Sequence, residues 1–163
     1  MKVIFLDIDG VLNSNFWNNT HQREISDGTL IDEEKVMLLG QLIRDTNAKV
    51  ILHSGWKFWF DSEVKPLRKE AERLVSMFEK NGIKVNSVTP DHTTEEIRKS
   101  KKFSLVKASE ILAWVSQYEN IEKWLVIDDL DLHNEEIRKH QILTDASIGL
   151  TVENICEAER LLL

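Results

Sequence analysis

Short apolar runs alternate along the chain with longer segments in which apolar residues recur every three or four positions. The short runs have strand length, and they lie at residues 3–6, 49–53, 83–88, 124–127 and 141–144. The longer segments predict helices at about 32–44, 61–80, 104–115 and 152–162. Apolar strands that alternate with helices are typical of βαβ units. We therefore expect a parallel sheet that is covered by helices on both faces.

Two polar segments interrupt this pattern. Residues 13–31 predict a long loop or small flap, and long loops inside compact domains are often functional. Residues 89–103 predict a polar, basic loop. The chain has 163 residues, of which 42% are hydrophobic and 30% charged, so we expect a single domain over residues 1–163.

Charge and cysteine content exclude some classes of protein. A net charge of −7 argues against broad, sequence-independent binding of nucleic acid, although it leaves a local basic groove open. The single cysteine, Cys156, cannot form an internal disulfide, which suits a reducing compartment. No apolar run approaches the ~20 residues of a membrane span, and the N-terminus does not resemble a signal peptide. We expect a cytoplasmic protein with no membrane partner, and the oligomeric state is left open.

The first strand runs directly into two carboxylates and a glycine, Asp7, Asp9 and Gly10. Residues two apart on a strand point to the same face, so the two carboxylates project together if the strand geometry persists. Two anions this close repel each other unless a cation lies between them or one stays protonated. A plain Asp-Gly turn is the alternative interpretation.

Further polar residues end the neighbouring strands. Ser54 follows the second strand, Asp128 and Asp129 follow the fourth, and Lys107 lies in the first turn of the helix that leads into the fourth. If the first strand is central, these groups converge at one edge of the sheet. Several carboxylates favour Mg²⁺, and a hydroxyl with an ammonium can hold a phosphoryl group. A carboxylate can also act as the nucleophile.

These residues resemble the four motifs of the haloacid dehalogenase-like (HAD) phosphohydrolases. The motifs, in chain order, are Asp7-Ile8-Asp9-Gly10-Val11-Leu12, Ile51-Leu52-His53-Ser54, Lys107 and Val126-Ile127-Asp128-Asp129. The resemblance covers essentially the whole chain. It implies an α/β fold, a three-layer, doubly wound parallel sheet of HAD-like Rossmannoid type with strand order 5-4-1-2-3.

The resemblance also implies a role for each matching residue. Asp7 would attack phosphorus, and Asp9 would protonate the leaving oxygen and later activate water. Ser54 and Lys107 would bind the phosphoryl oxygens. Mg²⁺ would be held by Asp7, the main-chain carbonyl of Asp9 and one of the paired aspartates, with Asp129 favoured as the direct ligand and Asp128 as its partner.

Several alternatives stay open at this point. Ser54 can be a plain strand-end hydroxyl, and Lys107 can be a solvated lysine, in which case Lys101 or Lys102 is the candidate for its role. Asp131 and His133 suggest a polar loop more than a metal site. His53 is interpreted as structural, because it should point to the side of the strand opposite Ser54.

The spacing of the motifs leaves no room for a separate cap domain, only for the flap at about 13–31. The site should therefore be open, as in family members that act on nucleic-acid ends or phosphoproteins, although oligomerisation can close an open site around a small molecule.

Aromatic and basic residues near the motifs favour a nucleotide. Exposed tryptophans can stack bases and basic runs can follow a phosphate backbone, although packing and a solvated face are the alternatives. The stretch from Ser54 to Lys57 is similar to a HAD group found in RNA-repair proteins, with Lys57 where arginine is expected. The candidate substrate-binding residues are Gly55, Trp56, Lys57, Trp17, Lys101 and Lys102.

The sequence thus predicts a Mg²⁺-dependent phosphomonoester hydrolase that forms an aspartyl-phosphate, with a nucleic-acid end or nucleotide phosphate as the favoured substrate. A phosphatase of small molecules or phosphoproteins and a non-catalytic metal-binding module are the alternatives. A phosphorylated receiver domain is disfavoured, because it needs an acid at the end of the third strand and residues 83–88 lack one.

Overall fold

The computed structural model describes all 163 residues. Its centre is one sheet of five parallel strands in the order β3-β2-β1-β4-β5. The strands are β1 (Lys2–Leu6), β2 (Lys49–Leu52), β3 (Val85–Val88), β4 (Lys123–Asp128) and β5 (Gln141–Leu143). The predicted α/β class and strand order are confirmed, with β1 at the centre.

Helices surround the sheet. They are α1 (Asn15–Thr20), α2 (Gln22–Ser26), α3 (Glu33–Thr46), α4 (Lys69–Lys80), α5 (Glu95–Ser100), α6 (Phe103–Ser116), α7 (Glu135–Arg138) and α8 (Val152–Leu162). Side-chain caps fix several starts: Asp32 accepts from the Glu34 N–H before α3, and Thr151 and Asn154 form a capping box at α8. None of the helices combines the length and apolar character that a membrane span requires.

The central strand supplies both faces of the core. Val3 and Phe5 pack in a cluster of nine buried residues that includes residues of α6. Ile4 and Leu6 pack on the other face, in a cluster of 26 buried residues that includes residues of α3, α4 and α8. Because successive residues of a strand face opposite sides, a continuous apolar run is what a strand buried on both faces requires.

The helix predicted from residue 61 begins instead at Lys69. The Asp61 carboxylate accepts hydrogen bonds from the N–H groups of Glu63 and Lys65. An aspartate that bonds to the following backbone stabilises a turn in place of a helix, and Pro66 disfavours helical geometry at the residue before it. Local side-chain chemistry therefore overrides the helical spacing at residues 61–68.

The two polar segments contain short helices that the sequence did not predict. The flap segment carries α1 and α2, and the basic segment carries α5, whose first turn is capped by the Thr94 hydroxyl. Helix α6 begins at Phe103, with Lys102 as its N-cap residue. Lys107 therefore lies in the second turn of α6 and not, as predicted, in the first.

Candidate active site

The motif residues follow three neighbouring strands whose carboxyl ends are in register. Leu6 of β1 pairs with Leu52 of β2 and with Ile127 of β4. The pairing continues past the strands, since the Asp7 N–H donates to Ile127 and the His53 N–H donates to Leu6. The residues that follow the three strands therefore lie side by side at the carboxyl edge of the sheet.

Three carboxyl groups meet at this edge. Asp7, Asp128 and Asp129 each offer an oxygen atom, and these atoms lie within 4.8 Å of one another. Lys107 Nζ lies 2.8 Å from Asp128 Oδ2 and 3.4 Å from Asp7 Oδ1. If all three carboxyls ionise, one ammonium leaves two negative charges in the cluster. A divalent cation that prefers carboxylate oxygens, such as Mg²⁺, fits both the donor set and the charge.

Burial and charge shift the protonation of these groups. Burial, with the adjacent Asp128 charge, raises the pKa of Asp7 well above its ordinary value, and Lys107 only partly offsets this. Burial also raises the pKa of Asp129. Burial opposes ionisation of Asp128 as well, but Lys107 and the Leu130 N–H hold the pKa of Asp128 below its ordinary value. Burial therefore favours the protonated forms of Asp7 and Asp129, and a bound cation would favour their ionised forms.

The two paired aspartates differ in their partners. Asp128 is fully buried and accepts from Lys107 and from the Leu130 N–H, whereas no donor contacts the half-buried Asp129 carboxylate. Asp129 packs against Gly10. A Cβ at Gly10 would lie 2.6 Å from Asp129 Cγ, and the φ angle of Gly10 is +83°. Only glycine fits this position, so Gly10 leaves room for a carboxylate that is free to bind a cation.

Asp9 lies outside the acidic cluster. Its exposed carboxylate accepts from Asn13 Nδ2 at 2.9 Å and from Trp56 Nε1 at 3.2 Å. These two donors fix its orientation, as a general acid requires. Sequence reasoning missed Asn13 entirely, and it assigned Trp56 to base stacking although this indole is only 4% exposed.

Ser54 and Lys107 line the same cavity, which has a volume of about 450 Å³. The Ser54 hydroxyl also accepts from the Trp56 N–H and caps a 3-10 helix at Gly55–Trp59. Gly55 is exposed, and a Cβ at this position would contact nothing within 4 Å. The backbone next to Ser54 is therefore open to an approaching substrate.

Lys57 is buried and fully paired. Its Nζ lies 2.9 Å from Glu110 Oε2, 3.2 Å from Thr89 Oγ1 and 2.9 Å from the Pro90 carbonyl. Its three donors are thus committed, and the predicted contact between Lys57 and the substrate has no support from this placement. Glu110 follows Lys107 by one turn of α6, so the pair ties the 3-10 helix after Ser54 to the helix that carries Lys107. Glu110 also belongs, with Ile111 and Trp114, to the resemblance to the RNA-repair HAD group, but its pairing with Lys57 was not predicted from the sequence.

The remaining candidate substrate residues lie away from the acidic cluster. Trp17 is 9% exposed and stacks on His21 in the flap. Lys101 and Lys102 are exposed between α5 and α6, and neither lines the cavity that holds Lys107. The acidic cluster is therefore contacted by Lys107 and by neither alternative lysine.

His53 does not point away from the site as expected. Its imidazole is fully buried, with Nε2 3.5 Å from Asp128 Oδ2, and neither ring nitrogen makes a hydrogen bond. Burial lowers the pKa of His53 to about 3, so the ring is neutral at physiological pH. Asp128 therefore has one charged partner, Lys107, and one neutral neighbour.

The sequence matches a family model, described as the HAD domain in Swiss Army Knife RNA repair proteins, over residues 3–155. The chain belongs to this family. No curated protein and no solved structure gives a significant match. HAD domains are associated with hydrolase and phosphatase chemistry and generally use Mg²⁺, and this HAD domain holds an acidic cluster that suits such an ion.

Proposed function

We propose that this HAD domain is a Mg²⁺-dependent phosphomonoester hydrolase, with a nucleic-acid end or a nucleotide phosphate as substrate. The observation that carries the proposal is the cluster of Asp7, Asp128 and Asp129 around Lys107, beside the cavity of Ser54. Asp7, the Asp9 carbonyl and Asp129 would hold the ion, with Asp128 positioning Lys107. A bound Mg²⁺ would supply charge neutralisation for the phosphoryl oxygens.

The residues of the chain support two successive displacements. In the first, the Asp7 carboxylate forms a bond to phosphorus, the ester bond breaks, and the leaving oxygen takes a proton from Asp9. In the second, Asp9 takes a proton from water, whose oxygen bonds to phosphorus and releases Asp7 with inorganic phosphate. Ser54 and Lys107 would hold the non-bridging oxygens in both steps. The two hydrogen bonds to Asp9 keep it aimed for both proton transfers.

The substrate class rests on two observations. The family to which the chain belongs takes its description from RNA repair proteins. The surface beside Ser54 is open at Gly55, as a polymer end requires. Both favour a phosphate at the end of a nucleic acid over a small metabolite that an enclosed site would surround.

The decisive experiment compares Asp7→Asn with Asp131→Asn, a matched change at a half-exposed loop aspartate that accepts from the His133 N–H. We expect wild type and Asp131→Asn to release phosphate from p-nitrophenyl phosphate with Mg²⁺, and Asp7→Asn to be inactive. Equal turnover by Asp7→Asn would contradict the mechanism.

A substrate panel tests the second half of the proposal. It comprises 3′- and 5′-phosphorylated oligonucleotides, nucleotides, sugar phosphates and phosphopeptides. We expect the highest kcat/KM with a nucleic-acid end or nucleotide. Activity confined to sugar phosphates would contradict the substrate class, and Mg²⁺ binding without any turnover would indicate a non-catalytic module.

A further inference from the structure

The cavity that contains Ser54 and Lys107 extends well beyond the space that a phosphoryl group needs. Its volume of about 450 Å³ lies within the roughly 300–1,000 Å³ range of small-ligand sites. Of its lining residues, Ser54 is buried and Lys107 is partly buried. Its lining continues to Arg98 of α5, to Phe103 at the start of α6 and to Phe58 of the 3-10 helix.

Arg98 is the one cation of this cavity without an ion pair, although its charge contributes, after the hydrogen bonds from Thr93, to lowering the pKa of Asp91. The two lysines of the lining are committed, Lys57 to Glu110 and Lys107 to Asp7 and Asp128. The Arg98 side chain is exposed and forms neither a hydrogen bond nor an ion pair. A guanidinium is planar and binds two phosphate oxygens at once, so a free arginine beside a phosphoryl site suits a second phosphate.

Two phenylalanines border the same cavity with uncovered rings. Phe58 is 55% exposed and Phe103 is 45% exposed. Neither ring is paired with another aromatic side chain, unlike Trp17, Trp56 and Trp114. Large apolar side chains are usually buried. Lys57 Nζ lies 5.5 Å from the centroid of the Phe58 ring, so one face of this ring is already occupied in part. Exposed aromatic rings next to a phosphate site can stack a base.

Two other cavities suit an anionic chain less well. The lining of the cavity between the flap and α3 contains three acids, Asp32, Glu33 and Glu34, against one lysine, Lys35, and this excess of negative charge would repel phosphates. The cavity beside Asp9 contains no lysine or arginine. Gly55, which follows Ser54, lines the Arg98 cavity, and a Cβ at this position would contact nothing within 4 Å. Charge therefore favours the side of α5 and α6 for a phosphate backbone.

We propose that Arg98, Phe58 and Phe103 form a subsite for the nucleotide next to the scissile phosphate of a single-stranded nucleic-acid end. Arg98 binds the adjoining backbone phosphate, and the two rings contact its base. This subsite deepens the proposed function and rests on it. It predicts that a short oligonucleotide with a terminal phosphate binds more tightly than a mononucleotide, which lacks the second phosphate.

The charge half of the subsite is tested with Arg98→Ala and with Lys99→Ala, which removes an exposed neighbouring cation that does not line the cavity. KM for a phosphorylated single-stranded oligonucleotide is measured over a range of salt concentrations. We expect Arg98→Ala to lower the slope of log KM against log salt by about 0.7, the contribution of one phosphate contact on a single strand. Lys99→Ala should retain the wild-type slope, and equal slopes in wild type and Arg98→Ala would overturn the assignment.

The stacking half is tested with Phe58→Ala, Phe58→Trp and Phe16→Ala. Phe16 is 71% exposed in the flap and lines a different cavity, so it is the matched control. Loss of one stacking ring should raise KM for the oligonucleotide by about 5- to 150-fold, whereas Phe58→Trp should retain affinity. An unchanged KM in Phe58→Ala would overturn the stacking role.

Hydrolysis of p-nitrophenyl phosphate separates failure of the subsite from failure of the proposed function. This substrate has no second phosphate, and the control variants Lys99→Ala and Phe16→Ala, which lie outside the cavity, should hydrolyse it as wild type does. Loss of this activity in wild type would contradict the phosphatase itself. If wild type hydrolyses p-nitrophenyl phosphate and a terminally phosphorylated oligonucleotide does not inhibit this reaction, the subsite and the nucleic-acid-end substrate are both overturned, whereas the phosphatase chemistry stands.

Discussion

Lys57 and Lys107 are both largely buried and both face carboxylates near the carboxyl ends of the strands, but their surroundings differ. The Lys57 side chain is 5% exposed, and each of its three donors has an acceptor. The Lys107 side chain is 18% exposed, lines the cavity and contacts two members of a three-carboxyl cluster.

The difference shows that a buried lysine–carboxylate pair can either stabilise the fold or take part in binding a ligand. Lys57 and Glu110 neutralise each other and leave no charge for a ligand, so the pair can only join elements. Around Lys107 the carboxylates outnumber the cations, and burial keeps the pKa of Asp7 high. A cluster that is left short of positive charge can bind a cation, whereas a balanced pair cannot.

The largest effect is expected from breaking the balanced pair. Lys57→Met leaves the Glu110 carboxylate buried without its cation, which should lower the free energy of unfolding by about 3–5 kcal/mol. The double variant Lys57→Met/Glu110→Leu removes both charges and should recover most of this loss. Urea denaturation of both variants measures the free energy of unfolding. An equal loss in the single and double variants would show that the unpaired Glu110 charge is not the cause of the destabilisation.

Breaking the open cluster should affect catalysis. Lys107→Met removes a cation that faces the phosphoryl site and should lower kcat by about 10²- to 10³-fold, equivalent to about 2.7–4 kcal/mol. The exposed Lys99 provides the control, since Lys99→Met should retain kcat. Phosphate release from p-nitrophenyl phosphate with Mg²⁺ measures both. If Lys107→Met retained wild-type activity, another lysine would have to bind the phosphoryl oxygens.

A smaller effect is expected where the backbone makes room for the cluster. Gly10→Ala should destabilise the fold by about 1–2 kcal/mol because φ is positive. It should also weaken Mg²⁺ binding, since the new Cβ displaces Asp129. Gly82→Ala is the matched control, with φ +73° and no atom within 4 Å of the new Cβ. Calorimetric titration with Mg²⁺ should separate the two variants, and equal affinities would argue against Asp129 as a ligand.

The last effect concerns pH, and it is small near neutrality and grows as the pH falls. The pKa of His53 falls from 6.5 to about 3 on burial, so the unfolded chain binds a proton that the folded chain does not. Stability should therefore decrease as pH falls from 6.5 towards 3. The stability of His53→Gln should vary less with pH over that range than the stability of wild type. The control variant His133→Gln, at an exposed histidine, should follow the wild-type curve. Denaturation across this pH range measures the difference, and parallel curves for wild type and His53→Gln would contradict it.

Much of the fold could be predicted from the sequence. Continuous apolar runs such as Val3–Leu6 fit only strands buried on both faces, and acids directly after such runs predict which strand ends meet. Helix starts were less predictable. They depend on local hydrogen bonds, such as the turn at Asp61 and the cap at Thr94, and the spacing of hydrophobic residues carries no information about these bonds.

From the sequence, the resemblance to the HAD motifs implied the strand order. Local patterns by themselves determined the acids that follow the strands and the lysine that accompanies them. Tertiary structure alone decided which cations are free. Lys57 looked like a ligand for substrate until the fold placed Glu110 against it, and Arg98 looked like one charge in a basic run until the fold placed it beside Ser54 and Lys107. The charge that a side chain offers to a ligand depends on partners from distant segments, and only packing brings those partners together.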